Sequence, residues 1–338
     1  MENKRDQDRR DVVGIGNAIV DVLTNVDEIF LTEHGITKGA MTLADQDRAT
    51  NLYSTMLSPE EISGGSVSNT MAGLAALGGT GSYIGKVRDD KLGEVFRHDL
   101  EAMGISFDTP AASEGPPTAR CLVFITPDGQ RSLITYLGAS SGLTPENISE
   151  EIIHKHSMIY IEGYLWDSPS AVEAVTKAST LAHNAKRKVA LNLSDSFCVD
   201  RHREPFRKLI DDNQIDILFA NETEITSLYQ VGDFDEALLQ ARQDCNQAAL
   251  TRGEKGSVVF SKDEIYNIPP VPVEQVVDTT GAGDLYASGV LYGLTQGYDI
   301  QTSGRIGSIS SSEVISHVGA RPKANLRELV KNLRPNTC

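Results

Sequence analysis

Met158-Ile159-Tyr160-Ile161 is a short, wholly apolar run of the kind that forms a strand buried on both faces. Ser170 to Asn184 follows, with apolar or small residues at Ala171, Val172, Val175, Ala178 and Ala182, the spacing of one helical face. Val189-Ala190-Leu191-Asn192-Leu193 is a second buried strand. A strand joined through a helix to another such strand makes a right-handed crossover in a parallel sheet. The same rhythm extends outward: Val12-Val13-Gly14-Ile15-Gly16 before it, Ile215-Asp216-Ile217-Leu218-Phe219 and Ala248-Ala249-Leu250-Thr251 after it. The expected fold is α/β, a doubly wound, Rossmann-like and mostly parallel sheet with helices on both faces.

Two segments break the rhythm. Ala119–Thr126 and Arg131–Leu137 are β-rich runs around Pro127-Asp128-Gly129-Gln130, a turn signal because Gly tolerates positive φ. Residues 17–42 show no long helical pattern either. A hairpin inserted in a parallel sheet must pack elsewhere, so a small β lid is expected over the main sheet. The expected division is a large α/β unit of residues 11–16, 43–116 and 138–338, a discontinuous lid of residues 17–42 and 117–137, and a disordered tail of residues 1–10.

Composition narrows the function. In 338 residues, 31 Lys+Arg against 47 Asp+Glu leave a net charge of −16, which repels nucleic-acid backbones and anionic membranes. No local basic patch offsets it, and residues 1–10 alternate in sign with no apolar stretch, so no secretory leader is expected. No apolar run approaches the ~20 residues of a bilayer span. The expectation is a cytoplasmic protein that acts on a small molecule, as a monomer or homodimer, without nucleic-acid or membrane partners. Cys121, Cys198, Cys245 and Cys338 are scattered and read as packing residues. His154 and His156 read as surface residues.

The strongest chemical signal is Val276-Val277-Asp278-Thr279-Thr280-Gly281-Ala282-Gly283-Asp284, followed by helical spacing at Leu285, Ser288, Gly289, Leu291, Tyr292 and Leu294. Gly281-Ala282-Gly283 therefore sits where a loop enters a helix, and free N–H groups with the helix dipole favour an anion there. A carboxylate beside such a site suits a general base that deprotonates a hydroxyl attacking a phosphoryl group. Read alone, Asp284 could equally be a helix cap. Gly14-Ile15-Gly16 lacks the third glycine of a dinucleotide fingerprint, which disfavours an oxidoreductase, and Gly85-Lys86 lacks the context of a Walker loop.

Asp278 to Asp284 resembles the C-terminal signature of the ribokinase (phosphofructokinase-B-like) carbohydrate kinases, and the resemblance runs from about Val12 to Pro322. Ser63-Gly64-Gly65-Ser66-Val67-Ser68-Asn69 resembles the N-terminal signature, Gly85 to Gly93 the stretch after it, Asn221-Glu222-Thr223-Glu224 the Asn-x-x-Glu motif, and Thr251-Arg252-Gly253 a strand end near the nucleotide. The resemblance implies an ATP- and Mg²⁺-dependent phosphotransferase acting on an alcohol group, and leaves open a monovalent cation such as K⁺. It implies Asp284 as the base and Gly281, Ala282 and Gly283 as the anion hole. Gly64, Gly65, Ser66 and Asn69 would hold the sugar, and Glu224 the metal. Asn192, Asn221, Thr251, Arg252, Gly253, Asp278, Thr280 and His317 would face the nucleotide.

Within that family the chain is most similar to the adenosine kinases, through Gly16-Asn17-Ala18-Ile19-Val20-Asp21 and Arg131-Ser132-Leu133-Ile134. Asn17 and Asp21 can face a ribose, Asp21 as acceptor from two vicinal hydroxyls. Arg131 could fold over the transferring phosphate, and Tyr164 is the expected partner of a purine. Asp195 and Thr280 depart from the nucleoside-kinase pattern, so a kinase of ribose, fructose or a keto-sugar acid stays open. A non-catalytic nucleoside or sugar sensor is the alternative of another class.

Overall fold

The computed structural model describes residues 9–262 and 264–333. Cys338 and residues 1–8 of the expected tail lie outside the described residues. Arg10, also assigned to the tail, instead opens the first strand, where its guanidinium donates to the Gly81 carbonyl and Ser106 Oγ.

Among the described residues nine strands form the main sheet: β1 (Arg10–Ile15), β5 (Gly81–Ile84), β6 (Ile105–Ser106), β9 (His156–Glu162), β10 (Lys188–Asn192), β11 (Ile217–Asn221), β12 (Gln247–Thr251), β13 (Ser257–Ser261) and β14 (Glu264–Ile268). Their spatial order is β14-β13-β12-β11-β10-β9-β1-β5-β6. Pairing is parallel from β6 through β12 and antiparallel for β13 and β14. In the strand–helix–strand unit, β9 and β10 lie side by side, Ile159 opposite Val189, with the helix Pro169–Asn184 between them in sequence. The β13–β14 hairpin at the sheet edge was not legible in the sequence. Three of the five residues of β14 are exposed, so it lacks the apolar run that marks the inner strands.

A second sheet has the order β3-β8-β7-β2-β4, from β2 (Ile19–Asn25), β3 (Met41–Leu43), β4 (Glu60–Gly64), β7 (Ala119–Ile125) and β8 (Arg131–Tyr136). β7 and β8 are the expected hairpin, closed by Gly129 at φ 80°. β4 lies within residues expected in the large unit, yet it pairs antiparallel with β2, Ile19 opposite Gly64. Residues 17–42 also hold a short helix, Glu28–Glu33.

Two apolar cores flank the main sheet, one around Ile159, Leu191 and Phe206 and the other around Met71, Tyr83 and Tyr160. His156, expected at the surface, is buried at the start of β9 with Nδ1 against the Ile152 carbonyl at 2.6 Å. Burial of the ring holds its pKa down at about 4. No helix among the described residues is long and apolar enough to cross a membrane. The carboxyl ends of β1, β9, β10, β11 and β12 all face one way, and the lid sheet stands over them, which is where open α/β sheets bind ligands.

Candidate functional site

A cleft of about 870 Å³ lies between those strand ends and the second sheet. Its floor begins with the glycine loop. Gly281 adopts φ +77° and caps the helix Ala282–Thr295, and a Cβ there would lie 2.7 Å from Ala320 Cβ. Asp284 is therefore the third residue of the helix and not its cap. The alternative reading of Asp284 as a capping residue is removed. Instead the side chain turns into the cleft, where Oδ1 accepts from Ser66 Oγ at 2.7 Å and Oδ2 from Asn69 Nδ2 at 3.0 Å. Burial raises its pKa, while Ser66, Asn69 and Arg321 pull it back down.

Ser66 and Asn69 come from the helix Ser66–Leu77, whose cap Gly65 has φ +85° and passes so close to Asn17 that a Cβ would lie 2.8 Å from its carbonyl oxygen. Asp21, on β2, presses its carboxylate against Gly64, where a Cβ would meet it at 2.3 Å. Burial pushes Asp21 up to about 6, against the pull of Arg321 and Arg131. Asn17, Asp21, Gly65, Ser66 and Asn69 line the same cleft as Asp284.

One buried acid went unread in the sequence. Glu162 ends β9 and accepts at Oε1 from the Asn17 backbone (2.8 Å) and Nδ2 (2.7 Å), and at Oε2 from Val67 N–H (3.2 Å). It thus ties Asn17 to the start of the helix that carries Asn69. Desolvation pushes it up to about 7. Its one signal was a charge closing an otherwise apolar strand.

The expected nucleotide residues divide. Asn192, Asn221, Thr251 and Thr280 line the cleft. Arg252, Gly253 and His317 do not. Arg252 pairs with Glu222 at 3.2 Å and lies over the Phe234 ring, and His317 Nε2 sits 3.1 Å from Glu313. Asp278 braces the loop from below: Oδ1 accepts from Thr280 N and Oγ1, and Oδ2 from Gly319 N–H. Arg131 reaches from β8 to pair with Asp278 at 2.7 Å and to donate to Thr280 Oγ1 at 3.3 Å, so the lid touches the glycine loop.

Glu224 is buried in the cleft wall, both oxygens accepting from Asn221 in a capping box. Burial and the neighbouring charges of Asp195 and Asp284 push it up to about 7. Among the described residues no three His, Cys, Asp or Glu side chains converge as a metal-binding group. The crowded negative charge of Glu224, Asp195 and Asp284 nonetheless fits a divalent cation held largely by water and phosphate oxygens. Tyr164 lines the cleft, and burial, then the neighbouring Asp195 charge, raises its phenol pKa. Apolar side chains also line the cleft, Met41, Leu43 and Leu133 from the lid sheet and Phe197 from the body.

The glycine loop at a helix start, with Asp284 beside it and hydrogen-bonded to Ser66 and Asn69, fits a phosphotransferase with an alcohol group as acceptor. The chain belongs to the pfkB family of carbohydrate kinases, whose defining pattern matches residues 35–326. Kinases of this family use ATP and Mg²⁺. Adenosine kinase 1 of Arabidopsis thaliana is 28% identical over 334 residues, covering 91% of this chain and 94% of that protein. The solved adenosine kinase of Sinorhizobium meliloti is 47% identical, with a TM-score of 0.89 over 96% of this chain and 99% of that one. A probable sugar kinase of Rhizobium etli CFN 42 is 46% identical, also with a TM-score of 0.89, over 96% of this chain and 98% of that one.

Proposed function

We propose that this kinase transfers the γ-phosphoryl group of ATP to the 5′-hydroxyl of a ribonucleoside, with adenosine the foremost candidate. The observation that carries the reading is the set of exposed apolar side chains in the wall of the cleft. Met41, Leu43 and Phe197 are 52%, 55% and 74% exposed, and all three line it from opposite sides. A planar base would cover them, whereas a free sugar would leave them in water. The adenosine kinases among the relatives support the same acceptor.

In this proposal Asp21 and Asn17 accept and donate to the ribose hydroxyls, and Asn69 holds the turn beside Asp284. Asp284 takes the proton as the hydroxyl oxygen bonds to the γ-phosphorus and the bond to ADP breaks. The N–H groups of Gly281, Ala282 and Gly283 hold the charge that develops on the phosphoryl oxygens. Glu224 would hold Mg²⁺ through water, and the cation would neutralise phosphate charge when bound. The monovalent cation that the sequence leaves open, such as K⁺, is not part of the proposal. Residues 17–42 and 117–137, with β4 added, would move as a lid that excludes water.

The test is ADP release from ATP·Mg²⁺ with adenosine, other nucleosides, ribose and fructose as acceptors. Adenosine is expected to turn over with the highest kcat/KM. Turnover of ribose or fructose without adenosine would overturn the acceptor and leave the family assignment standing.

A further inference from the structure

Arg321 lies outside every motif that marked the site, yet its side chain reaches both halves of it. Nη1 donates to the Ser68 carbonyl at 2.6 Å, and Nη2 to the Ser63 carbonyl at 2.5 Å, Ser68 Oγ at 2.8 Å and Ser63 Oγ at 3.0 Å. Ser63 and Ser68 bracket the turn that presents Gly64, Gly65 and Ser66. Ser63 N–H is held in turn by Asp99 Oδ2 at 2.7 Å. The two residues before Arg321 engage the glycine loop: Gly319 N–H donates to Asp278 at 2.8 Å, and Ala320 closes the space beside Gly281. Three consecutive residues thus join the acceptor turn to the anion loop.

The charge around this arginine is one-sided. Asp21, Asp99 and Asp284 face it, with the Tyr83 phenol. Arg131 is the other cation acting on Asp21, while Asp284 adds negative charge there. Burial lowers the Arg321 pKa to about 10, so it stays a cation at neutral pH. The Asp284 charge also acts on Glu162, Glu224 and the Tyr160 phenol.

We propose that Arg321 is a positioning residue for phosphoryl transfer: its fork fixes the Ser63–Asn69 turn against the anion loop, and its charge faces Asp21 and Asp284. A lysine would keep the charge and lose the fork; a glutamine would lose both. Arg321→Gln is expected to lower kcat/KM about ten- to a hundredfold. It should also move the acid limb of the kcat/KM–pH profile up by about one unit, because a cation facing the carboxylates is gone. Arg321→Lys is expected to leave that limb in place and still lower kcat/KM by about tenfold.

Thermal melting separates loss of fold from loss of function. A folded Arg321→Gln with an unmoved acid limb overturns the proposal, as does Arg321→Lys with wild-type kcat/KM, which decides alone if the glutamine variant does not fold. The inference rests on Asp284 as the base, and the two fail apart. Turnover by Asp284→Asn overturns the base, whereas an unmoved limb in Arg321→Gln with Asp284→Asn inactive overturns only the role of Arg321.

Discussion

Asp284→Asn separates the chemical role of this residue from its structural one. The carboxylate makes two side-chain contacts, with Ser66 Oγ at 2.7 Å and Asn69 Nδ2 at 3.0 Å. An asparagine can keep both. Its carbonyl accepts from Asn69, and its amide donates to Ser66, whose hydroxyl accepts as readily as it donates. No cap is lost, because Gly281 occupies the cap position. A charge in the first helical turn is lost, worth about 0.3–1 kcal/mol, but the same charge is disfavoured by burial. The melting temperature should therefore hold or rise. Catalysis should not hold, because an amide cannot take the hydroxyl proton. General-base assistance is worth about 10²–10⁴ in rate, or about 3–5 kcal/mol on the barrier. Steady-state ADP release gives kcat, and calorimetry with each substrate checks that binding persists. A folded variant with more than about a tenth of wild-type kcat would refute the assignment and send the search for the base elsewhere.

Asp21→Ala should weaken acceptor binding about ten- to a hundredfold with a smaller effect on kcat, as expected for ~1.5–3 kcal/mol of hydrogen bonds to a charged acceptor; unchanged affinity by calorimetry would remove Asp21 from the site. Gly64→Ala should mimic it, since the new methyl would stand 2.3 Å from the Asp21 carboxylate and must displace it; wild-type KM for the acceptor would contradict that packing. Glu162 and Glu224, each pushed up from 4.5 to about 7, keep a proton in the folded protein that the unfolded chain has already released. The ligand-free protein should therefore gain stability from these groups as pH falls from about 7 toward 4.5, and lose it as pH rises through 7, seen as a higher denaturation midpoint at pH 5.5 than at pH 8 after other titrations are matched with Glu162→Gln. Amide exchange across residues 119–137 should slow when acceptor and nucleotide are added, and equal exchange with and without them would contradict a closing lid.

The alternation of apolar strands with amphipathic helices determined the inner strands β1, β9, β10, β11 and β12, because a strand buried on both faces must be written as an unbroken apolar run and a crossover helix as a 3.6-residue stripe. The glycine turn into a helix at Gly281 was also legible, since small residues before a helical stripe mark a loop that enters a helix. What tertiary structure decided is where contacts join distant segments. β4 looked like part of the large unit until its pairing with β2 placed it in the lid sheet. Arg252 and His317 were expected at the nucleotide, yet Arg252 pairs with Glu222 and His317 Nε2 lies against Glu313, and neither lines the cleft. Glu162 and Arg321 had no motif to announce them. Glu162 takes its place from a hydrogen bond to Asn17, 145 residues earlier in the chain, and Arg321 from bonds to Ser63 and Ser68, 258 and 253 residues away. Local pattern records what a residue does for its own strand or helix. A buried charge is positioned by partners that only the folded chain brings within reach, and no spacing along the sequence encodes that distance.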